Sequence, residues 1–415
     1  MTHNMLGPRG DIPLHVPPEC VVDVDLYQMP GADHDFHAPW KELQDASPRG
    51  LLWTPHNGGH WIVTRGRDIA RIYADHENFS SNITIVPREW GEQFPLRPTT
   101  VDPPEHRRFR QRINAALTPA VVRSLEPEIR RLIGDAIEGV RARGRCEFIS
   151  ECAVALPIGV FMHLANLPLD AASVLPRYAE EPTSSEGPDA GTPVMDRFAA
   201  FLRPWVAERR ERPGDDLISV LLAGAAADRP LTDDEAVDVG VALLTGGLDT
   251  VVSCLGFMMA FLARHPIHRR RLTADPAMIR PAVAEMLRRF PIMTKGRLVR
   301  RDQVINGIGV KTGDMIILPP LHGLDEREFT NPLIVDFDRS QAPSSTFGNG
   351  VHRCPGAQLS QMELEIALRE WLTRIPDFEI DPLRPPTMRS GILGTVLQLG
   401  LQWDPAVTNT PVSDR

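Results

Sequence analysis

One segment restricts the possible folds more than any other. The 25 residues from Val239 to Ala263, VGVALLTGGLDTVVSCLGFMMAFLA, carry a single charge, that of Asp249. A helix that is apolar on every side is either a membrane span or the central helix of a large protein. A carboxylate at the middle of a span costs about 2.5 to 3.5 kcal/mol, and no second span accompanies it. We therefore predict a buried central helix.

Local signals mark both ends of this helix. Thr232 and Glu235 form a capping box before the apolar run, and Pro266 stops the helix after His265. The predicted helix has roughly thirty residues and a length of about 50 Å. A helix of this length crosses the whole of a large domain.

The composition is that of an ordinary folded protein. Of 415 residues, 42% are hydrophobic and 24% are charged, and no linker, long charge run or repeat divides the chain. We expect one domain over residues 1–415, with an N-terminal arm over roughly residues 1–20. Because the five cysteines are odd in number and lie in dissimilar contexts, and because the N-terminal residues lack an apolar leader, we expect a cytoplasmic protein without a disulfide framework.

Helix signals outnumber strand signals elsewhere. Helices are predicted for HRRFRQRINAAL with Asp102 as the N-cap, for RPAVAEMLRRF, and for AQLSQMELEIALREWLTRIP just after Cys354. Strands are predicted for HWIVTRG, QVINGIGV and DMIILPP, and the pair Asn306-Gly307 favours a hairpin. The sequence predicts a mainly α fold with a smaller β component.

The stretch FGNGVHRCPG places Cys354 at the end of a glycine-rich run. A thiolate is a soft ligand for iron. Gly348, Gly350 and Gly356 let the backbone approach a flat cofactor and direct N–H groups at the sulfur, and the following helix adds its N-terminal dipole. The residues alone leave open a buried structural cysteine. A zinc site lacks a second cysteine at ligand spacing, and a nucleophile lacks an identified base.

This stretch resembles the heme-binding signature of the cytochrome P450 monooxygenases, with Phe347, Gly350, Cys354 and Gly356 in the signature positions. The similarity extends from HVPPE to QWDPA and is strongest to the bacterial camphor monooxygenases, through NGGHWI, VPREWGE, DPPE, GGLDTVV and GLDERE in the same order. It implies the cytochrome P450 fold, a triangular α-rich domain with a β-rich corner. It also implies heme b (iron protoporphyrin IX), with the Cys354 thiolate as the iron ligand.

A second family motif is E-x-x-R, formed by Glu285 and Arg288. Alone it is weak, because i, i+3 ion pairs are common on helices. Its position upstream of the cysteine stretch gives it weight. With Arg339 in DFDRSQ as a third partner, it predicts a buried charge network that supports the cysteine loop.

The resemblance assigns catalysis to Asp249 and Thr250 on the central helix. Thr250 can hydrogen-bond to a carbonyl one turn earlier, near Gly246. Activation of O2 consumes protons, and a buried acid behind a hydroxyl is a suitable relay. In the alternative interpretation Thr250 only packs and Asp249 is solvated, which the apolar surroundings disfavour.

The resemblance also assigns contacts to the cofactor and the substrate. Heme contacts are expected from His106, Arg110, Arg297 and His352 at the propionates, and from Phe347, Gly348 and Gly356. Lys295 stands where close relatives can carry an acid, which leaves propionate binding on that side open. The expected substrate pocket comprises Ile85, Phe94, Leu96, Thr99, Ala242, Thr245, Gly246, Met293, Ile392 and Leu393.

Phe94 stands where the camphor hydroxylases hold a ketone oxygen with a tyrosine hydroxyl, and Ala242 is small. Loss of that hydrogen bond costs a ketone about 0.5 to 1.5 kcal/mol and its orientation. We therefore predict a substrate that is larger or less polar than camphor, such as a cyclic terpenoid or an ionone-like norisoprenoid.

The charge pattern predicts a redox partner. The net charge is −9, yet basic side chains cluster in HRRFRQR and beside the cysteine, namely Arg107, Arg108, Arg110, Arg112 and Arg353. We expect this basic patch to dock an acidic [2Fe–2S] ferredoxin, itself reduced by an NADH-dependent reductase. The patch is short and lacks aromatics, which disfavours nucleic acid. We expect a monomer that is not bound to a membrane.

Two classes of function stay open. One is an O2-activating monooxygenase, and the other is a heme-thiolate protein that binds ligands or senses gases without turnover. The pair Asp249 and Thr250 favours the monooxygenase, because a pure binder needs no proton relay. The same pair favours O2 over peroxide as the oxidant.

Overall fold

The computed structural model describes residues 9–93, 96–175, 192–223, 229–340 and 344–408. These ranges are mainly α-helical, as the sequence predicts. The α-helices are α1 Ala38–Asp45, α2 Gly66–Ala74, α3 Arg88–Gln93, α4 Glu105–Ala116, α5 Pro119–Ser124, α6 Glu126–Arg141, α7 Ala155–Leu164, α8 Thr192–Glu211, α9 Leu217–Ala223, α10 Asp233–Arg264, α11 Pro266–Ala274, α12 Ile279–Arg289, α13 Ala357–Arg374 and α14 Pro405–Thr408.

Within the same described ranges, the β component is small and divided among four sheets. The strands are β1 Leu51–Thr54, β2 His60–Val63, β3 Phe79–Ser80, β4 Arg145–Glu147, β5 Lys295–Val299, β6 Gln303–Ile305, β7 Ile308–Val310, β8 Met315–Leu318, β9 Glu379–Ile380, β10 Thr387–Arg389, β11 Thr395–Gln398 and β12 Gly400–Gln402. The largest sheet has the order β1-β2-β8-β5-β3, and the others are β4-β12-β9, β6-β7 and β10-β11. Only β2 and β8 pair in parallel among the described strands.

The predicted hairpin is confirmed. Strands β6 and β7 are antiparallel and close with Ile305 opposite Ile308. Asn306 and Gly307 have φ angles of 52° and 80°. Positive φ at both central residues is what a two-residue type I′ turn requires, and Asn-Gly meets it with little strain.

The central helix is confirmed with both predicted ends. The Thr232 hydroxyl accepts a hydrogen bond from the Glu235 N–H, and the Glu235 carboxylate accepts one from the Thr232 N–H, which completes the capping box. Helix α10 ends at Arg264, with His265 as the C-cap. Among the described residues it is the one helix long and apolar enough to cross a membrane, and 61% of its most apolar window is buried inside the protein. Its packing is that of a core helix.

Helix α10 belongs to two apolar cores. Its C-terminal half, from Val251 to Ala263, packs into the large core with the main sheet and helices α6, α12 and α13. Its N-terminal half, from Ala236 to Leu248, packs into the small core with α4, α8 and α9. The two cores therefore meet on α10 between Leu248 and Val251.

Helices α12 and α13 lie where the sequence predicts them, and α13 begins three residues after Cys354. Helix α4 also forms, but its predicted N-cap is wrong. The Asp102 carboxylate accepts hydrogen bonds from the Ser81 N–H, at 2.9 Å, and from the Ser80 hydroxyl. It thus anchors the chain to the end of β3 and leaves the first turn of α4 uncapped by a side chain.

Candidate functional site

A cavity of about 320 Å³ lies between α10 and α13. Helices α4 and α7, strand β5 and the loop before α13 complete its walls. Gly246 and Gly247, which are exposed although α10 is otherwise largely buried, face this cavity. The central helix thus presents bare backbone to an internal space.

The loop before α13 presents Cys354 to the cavity. The Cys354 N–H donates to the Phe347 carbonyl at 2.8 Å, which closes the loop on itself. Gly348 and Gly350 have φ angles of 69° and 70°. A Cβ at Gly350 would lie 2.7 Å from the Ala74 Cα, so this position needs glycine for space as well as for backbone angle.

The surroundings of the sulfur favour a thiolate that has a partner. Burial raises the pKa of the Cys354 thiol, while a hydrogen bond from the Gly356 N–H and the cations Arg110, Arg353 and Lys295 oppose that rise. A buried thiolate needs a counter-charge. The site is therefore suited to a sulfur bound to a metal cation.

The predicted charge network behind the loop is confirmed. Both oxygens of Glu285 accept hydrogen bonds from Arg288, at 2.8 Å each, and one also accepts from Arg339 at 3.1 Å. Glu285 and Arg288 are almost fully buried. The Thr346 hydroxyl, at the start of the cysteine loop, donates to the Leu287 carbonyl at 3.0 Å. The network therefore fixes α12, to which the loop is tied.

Four basic side chains also line the cavity: Arg110, Lys295, Arg297 and His352. Arg297 is 3% exposed. The Lys295 side chain makes no hydrogen bond within the described part of the chain, and burial, followed by the charge of Arg297, lowers its pKa to about 8. The buried His352 Nε2 also lacks a hydrogen-bond partner there and lies 3.8 Å from Asp102.

Buried positive charges without anions are costly. The two propionates of heme b would supply these anions, and Cys354 would supply the ligand for its iron. Apolar side chains of α7 and α10 form much of the remaining wall. The residues present therefore fit heme b.

His106, an expected propionate contact, is not in the cavity wall. Its ring lies 4.4 Å from that of His352, centroid to centroid. Burial lowers the pKa of His106 to about 4, with further lowering by His352 and Arg110, so the ring is neutral at pH 7. It packs against the His352 ring, which lines the cavity.

Of the expected catalytic pair on α10, Thr250 is in the cavity wall and Asp249 is not. The Thr250 hydroxyl donates to the Gly246 carbonyl at 2.8 Å, as the sequence predicts. Thr250 lines the cavity, and Asp249 is half-buried beside it. The helix remains α-helical through this segment. The threonine oxygen is thus available to a molecule inside the cavity.

The expected substrate positions fall into three groups. Thr99, Ala242, Gly246 and Met293 line the cavity. Other positions lie outside its wall, namely Ile85, Leu96, Thr245, Ile392 and Leu393. Of these, Leu393 pairs with Met293 through a β-bridge, and Ile392 accepts a hydrogen bond from Thr294 N at 2.8 Å. Phe94 lies outside the described residues.

Several wall residues were not predicted from the sequence. They are Ile113 and Leu117 near the end of α4, Pro157, Val160, Phe161 and Leu164 of α7, and Leu217 of α9. An apolar residue on a helix is ordinarily core, so only the all-round apolarity of VALPIGVFMHL hinted at a second buried surface. Glu363 of α13 was also missed. It lines the cavity, and burial raises its pKa to about 8.

The predicted basic patch is wrong in two of its members. Arg108 donates to both carboxylate oxygens of Glu235, at 2.9 and 2.8 Å, and so ties α4 to the start of α10. Arg112 is 2% exposed and donates to two backbone carbonyls. Arg107 and Arg353 are exposed, and Arg110 is half-buried. A surface patch can use only these three.

Comparisons with known proteins agree with this geometry. Residues 193–397 match the family model described as Cytochrome P450. The chain is 31% identical over 402 residues to probable cytochrome P450 127A1 of Sinorhizobium fredii, covering 94% of this chain and 97% of that protein. It is 29% identical to nocardicin C N-oxygenase of Nocardia uniformis, and the match covers 89% of this chain and 96% of that protein.

Solved structures give the same result. The crystal structure of CYP101J2 superposes with a TM-score of 0.88 at 40% identity, covering 95% of this chain and 99% of that one. The crystal structure of CYP101C1 superposes with a TM-score of 0.88 at 36% identity, covering 95% of this chain and 100% of that one. The chain belongs to the cytochrome P450 family, whose members are monooxygenases with a cysteine-ligated heme iron.

Proposed function

We propose that this cytochrome P450 inserts one oxygen atom from O2 into an unactivated C–H bond of a small apolar terpenoid or norisoprenoid, with an ionone-like ketone favoured over camphor. The observation that supports this most is the composition of the wall around Thr250. Ala242, Leu243, Leu248 and Met293 contribute apolar surface, and Thr99 adds a hydroxyl. Such a wall binds by burial of apolar area, at about 25 cal/mol per Å².

The roles of the site residues follow from their positions. Cys354 holds the heme, and Arg110, Lys295, Arg297 and His352 bind its propionates. The bound heme supplies the activation of O2. Thr250 presents its hydroxyl to the cavity, and Asp249 supplies protons to that hydroxyl from the protein side. A protein that only bound ligands would gain nothing from this pair.

An optical titration of the ferric protein tests the substrate class. We expect β-ionone to shift the Soret band from the low-spin to the high-spin position at a concentration at least about tenfold below that needed for camphor, because β-ionone has more carbon atoms to bury and each buried methylene contributes about 0.8 kcal/mol. Phe94→Tyr should reduce this preference. Tighter binding of camphor by the unaltered protein would refute the preference, and no shift with either ligand would refute the substrate class.

We also propose that an acidic [2Fe–2S] ferredoxin delivers the electrons at the surface over Cys354. Arg107 and Arg353 are exposed, Arg353 adjoins Cys354 in the chain, Arg110 is half-buried and lines the cavity, and the chain as a whole is acidic. An isolated cationic area on an acidic protein directs the approach of an acidic partner.

Reversal of charge at Arg107 and Arg353 tests this docking. The double variant with Arg107→Glu and Arg353→Glu should raise the KM for a [2Fe–2S] ferredoxin at low salt by about tenfold or more, with an unchanged Kd for β-ionone. Arg131→Glu, on the exposed side of α6, is the matched control because it also reverses a surface charge. Equal KM values for both variants would exclude this docking surface.

A further inference from the structure

The segment from Leu96 to Val101 forms part of the cavity wall through Pro98 and Thr99. It is a closed turn, since Leu96 N donates to the Thr100 hydroxyl at 2.9 Å and Thr100 N donates to the Leu96 carbonyl at 2.9 Å. These two bonds make the segment move as a unit. We call it the wall turn.

Two anchors hold the wall turn in place. At one end, Asp102 bonds the end of β3. At the other, the Arg97 guanidinium forms an ion pair with Asp238 of α10, and each side chain is about one-third exposed (36% and 35%). The first anchor ties the turn to the sheet, and the second ties it to the central helix.

The position of Asp238 on α10 determines which part of the helix the ion pair connects to the wall turn. Residues four apart lie on the same face of a helix, one turn along its axis. Asp238 is four residues before Ala242, which lines the cavity. The ion pair therefore joins the wall turn to α10 one helical turn from Ala242 in the cavity wall.

The charges nearby make Arg97 the specific partner of Asp238. One turn earlier on the helix, Asp234 is paired with Arg203 of α8 at 2.7 Å. Burial and the charge of Asp234 raise the pKa of Asp238, whereas Arg97 and, less strongly, Arg203 oppose the rise. Without Arg97, Asp238 would lose its larger source of opposite charge and its ion-pair partner.

We propose that Arg97 is a positioning residue for the cavity wall. Its ion pair with Asp238 holds the wall turn against α10, and the pair must open for a ligand larger than a diatomic gas to enter or leave on this side. The inference goes beyond the proposed function and rests only on the heme of the family, not on the substrate class.

Ligand kinetics of the heme-loaded full-length protein test this proposal. Stopped-flow absorbance follows 4-phenylimidazole binding to the ferric protein. In Arg97→Gln we expect association and dissociation both to accelerate about three- to fivefold, the range for one partly exposed ion pair, with little change in Kd. Carbon monoxide binding to the ferrous protein should change much less, since a diatomic gas needs no opening of this side.

Four comparisons separate positioning from a general loss of stability. Asp238→Asn should reproduce the Arg97→Gln rates, and the double variant with Arg97→Asp and Asp238→Arg should restore the original ones. High ionic strength should accelerate 4-phenylimidazole binding in the unaltered protein but not in Arg97→Gln. Arg131→Gln, which breaks the two ion pairs of this exposed arginine on α6, with Glu128 and Asp135, should leave all rates unchanged.

Unchanged rates in both Arg97→Gln and Asp238→Asn would overturn the proposal. So would equal acceleration of carbon monoxide and 4-phenylimidazole, which would mean general loosening of the protein. Neither ligand is a substrate. A failure of the terpenoid titration therefore leaves these rates measurable, and the two proposals fail separately.

Discussion

Cys354→Ser is expected to abolish monooxygenase activity and to remove the Soret band that the reduced carbon monoxide complex owes to a thiolate ligand. The site is built around a charged sulfur, with the Gly356 N–H and three cations directed towards it. A serine hydroxyl is a harder and more weakly donating ligand, and it lacks the electron donation that thiolate ligation provides. The measurement is the carbon monoxide difference spectrum together with product formation.

A second cysteine provides the matched control. Cys254 on α10 also lines the cavity, and burial raises its pKa to about 12. Cys254→Ala should keep the thiolate band, because its thiol stays neutral and contributes only packing. If the band were lost in Cys254→Ala and retained in Cys354→Ser, Cys254 and not Cys354 would be the iron ligand, and the assignment made here would be wrong. Circular dichroism of both variants checks that the fold is intact.

Thr250→Ala is expected to lower the yield of oxidised substrate per NADH by about 100-fold, within the range for loss of a positioned proton donor. The Thr250 hydroxyl faces the cavity while it donates to Gly246. Without it, the two electrons and two protons are diverted to the release of hydrogen peroxide. NADH consumption, organic product and hydrogen peroxide are measured together in the reconstituted system.

Conservative changes identify the role of the hydroxyl. Thr250→Ser keeps an oxygen at the same place and should restore most of the coupling. Asp249→Asn, which removes the acid and keeps its shape, should slow product formation to a similar degree as Thr250→Ala. The β-ionone spin shift should persist in all three. Full coupling in Thr250→Ala would contradict the proposed relay.

The sequence predicted those parts of the fold that depend on local chemistry. Both ends of α10 followed from a capping box and a proline, because such signals act within one turn of the helix. The β6-β7 hairpin followed from Asn306 and Gly307, because few other residues adopt positive φ cheaply. The hydrogen bond from Thr250 to Gly246 also spans a single turn.

Other features depend on residues that are distant in the chain. Arg108 and Arg112 look like surface cations in HRRFRQR, but Glu235 and the Arg229 carbonyl, more than 100 positions away, bind them. Asp102 has the spacing of an N-cap residue, yet its carboxylate accepts hydrogen bonds from the Ser80 hydroxyl and the Ser81 N–H instead. Local patterns do not contain such partners.

The residues of the cavity wall were likewise only partly predictable from local sequence patterns. Cys354 was predicted because its motif is contiguous, whereas Phe161 and Leu164 of α7 become wall residues only through the packing of α7 against α10. A buried apolar side chain in a core and one that faces a ligand satisfy the same sequence pattern. Their distinction requires the three-dimensional arrangement.

The division of α10 between two cores bears on how this protein can be redesigned. Ala242 belongs to the half of the helix that packs with the small core, whereas the cysteine loop rests on α12 and α13 of the large core. Free-energy changes at sites without shared neighbours are usually additive. Substitutions that reshape the pocket on the small-core side should therefore accumulate with little effect on the cysteine loop, provided that they leave Arg110 unchanged, because α4 of the small core carries this proposed propionate ligand.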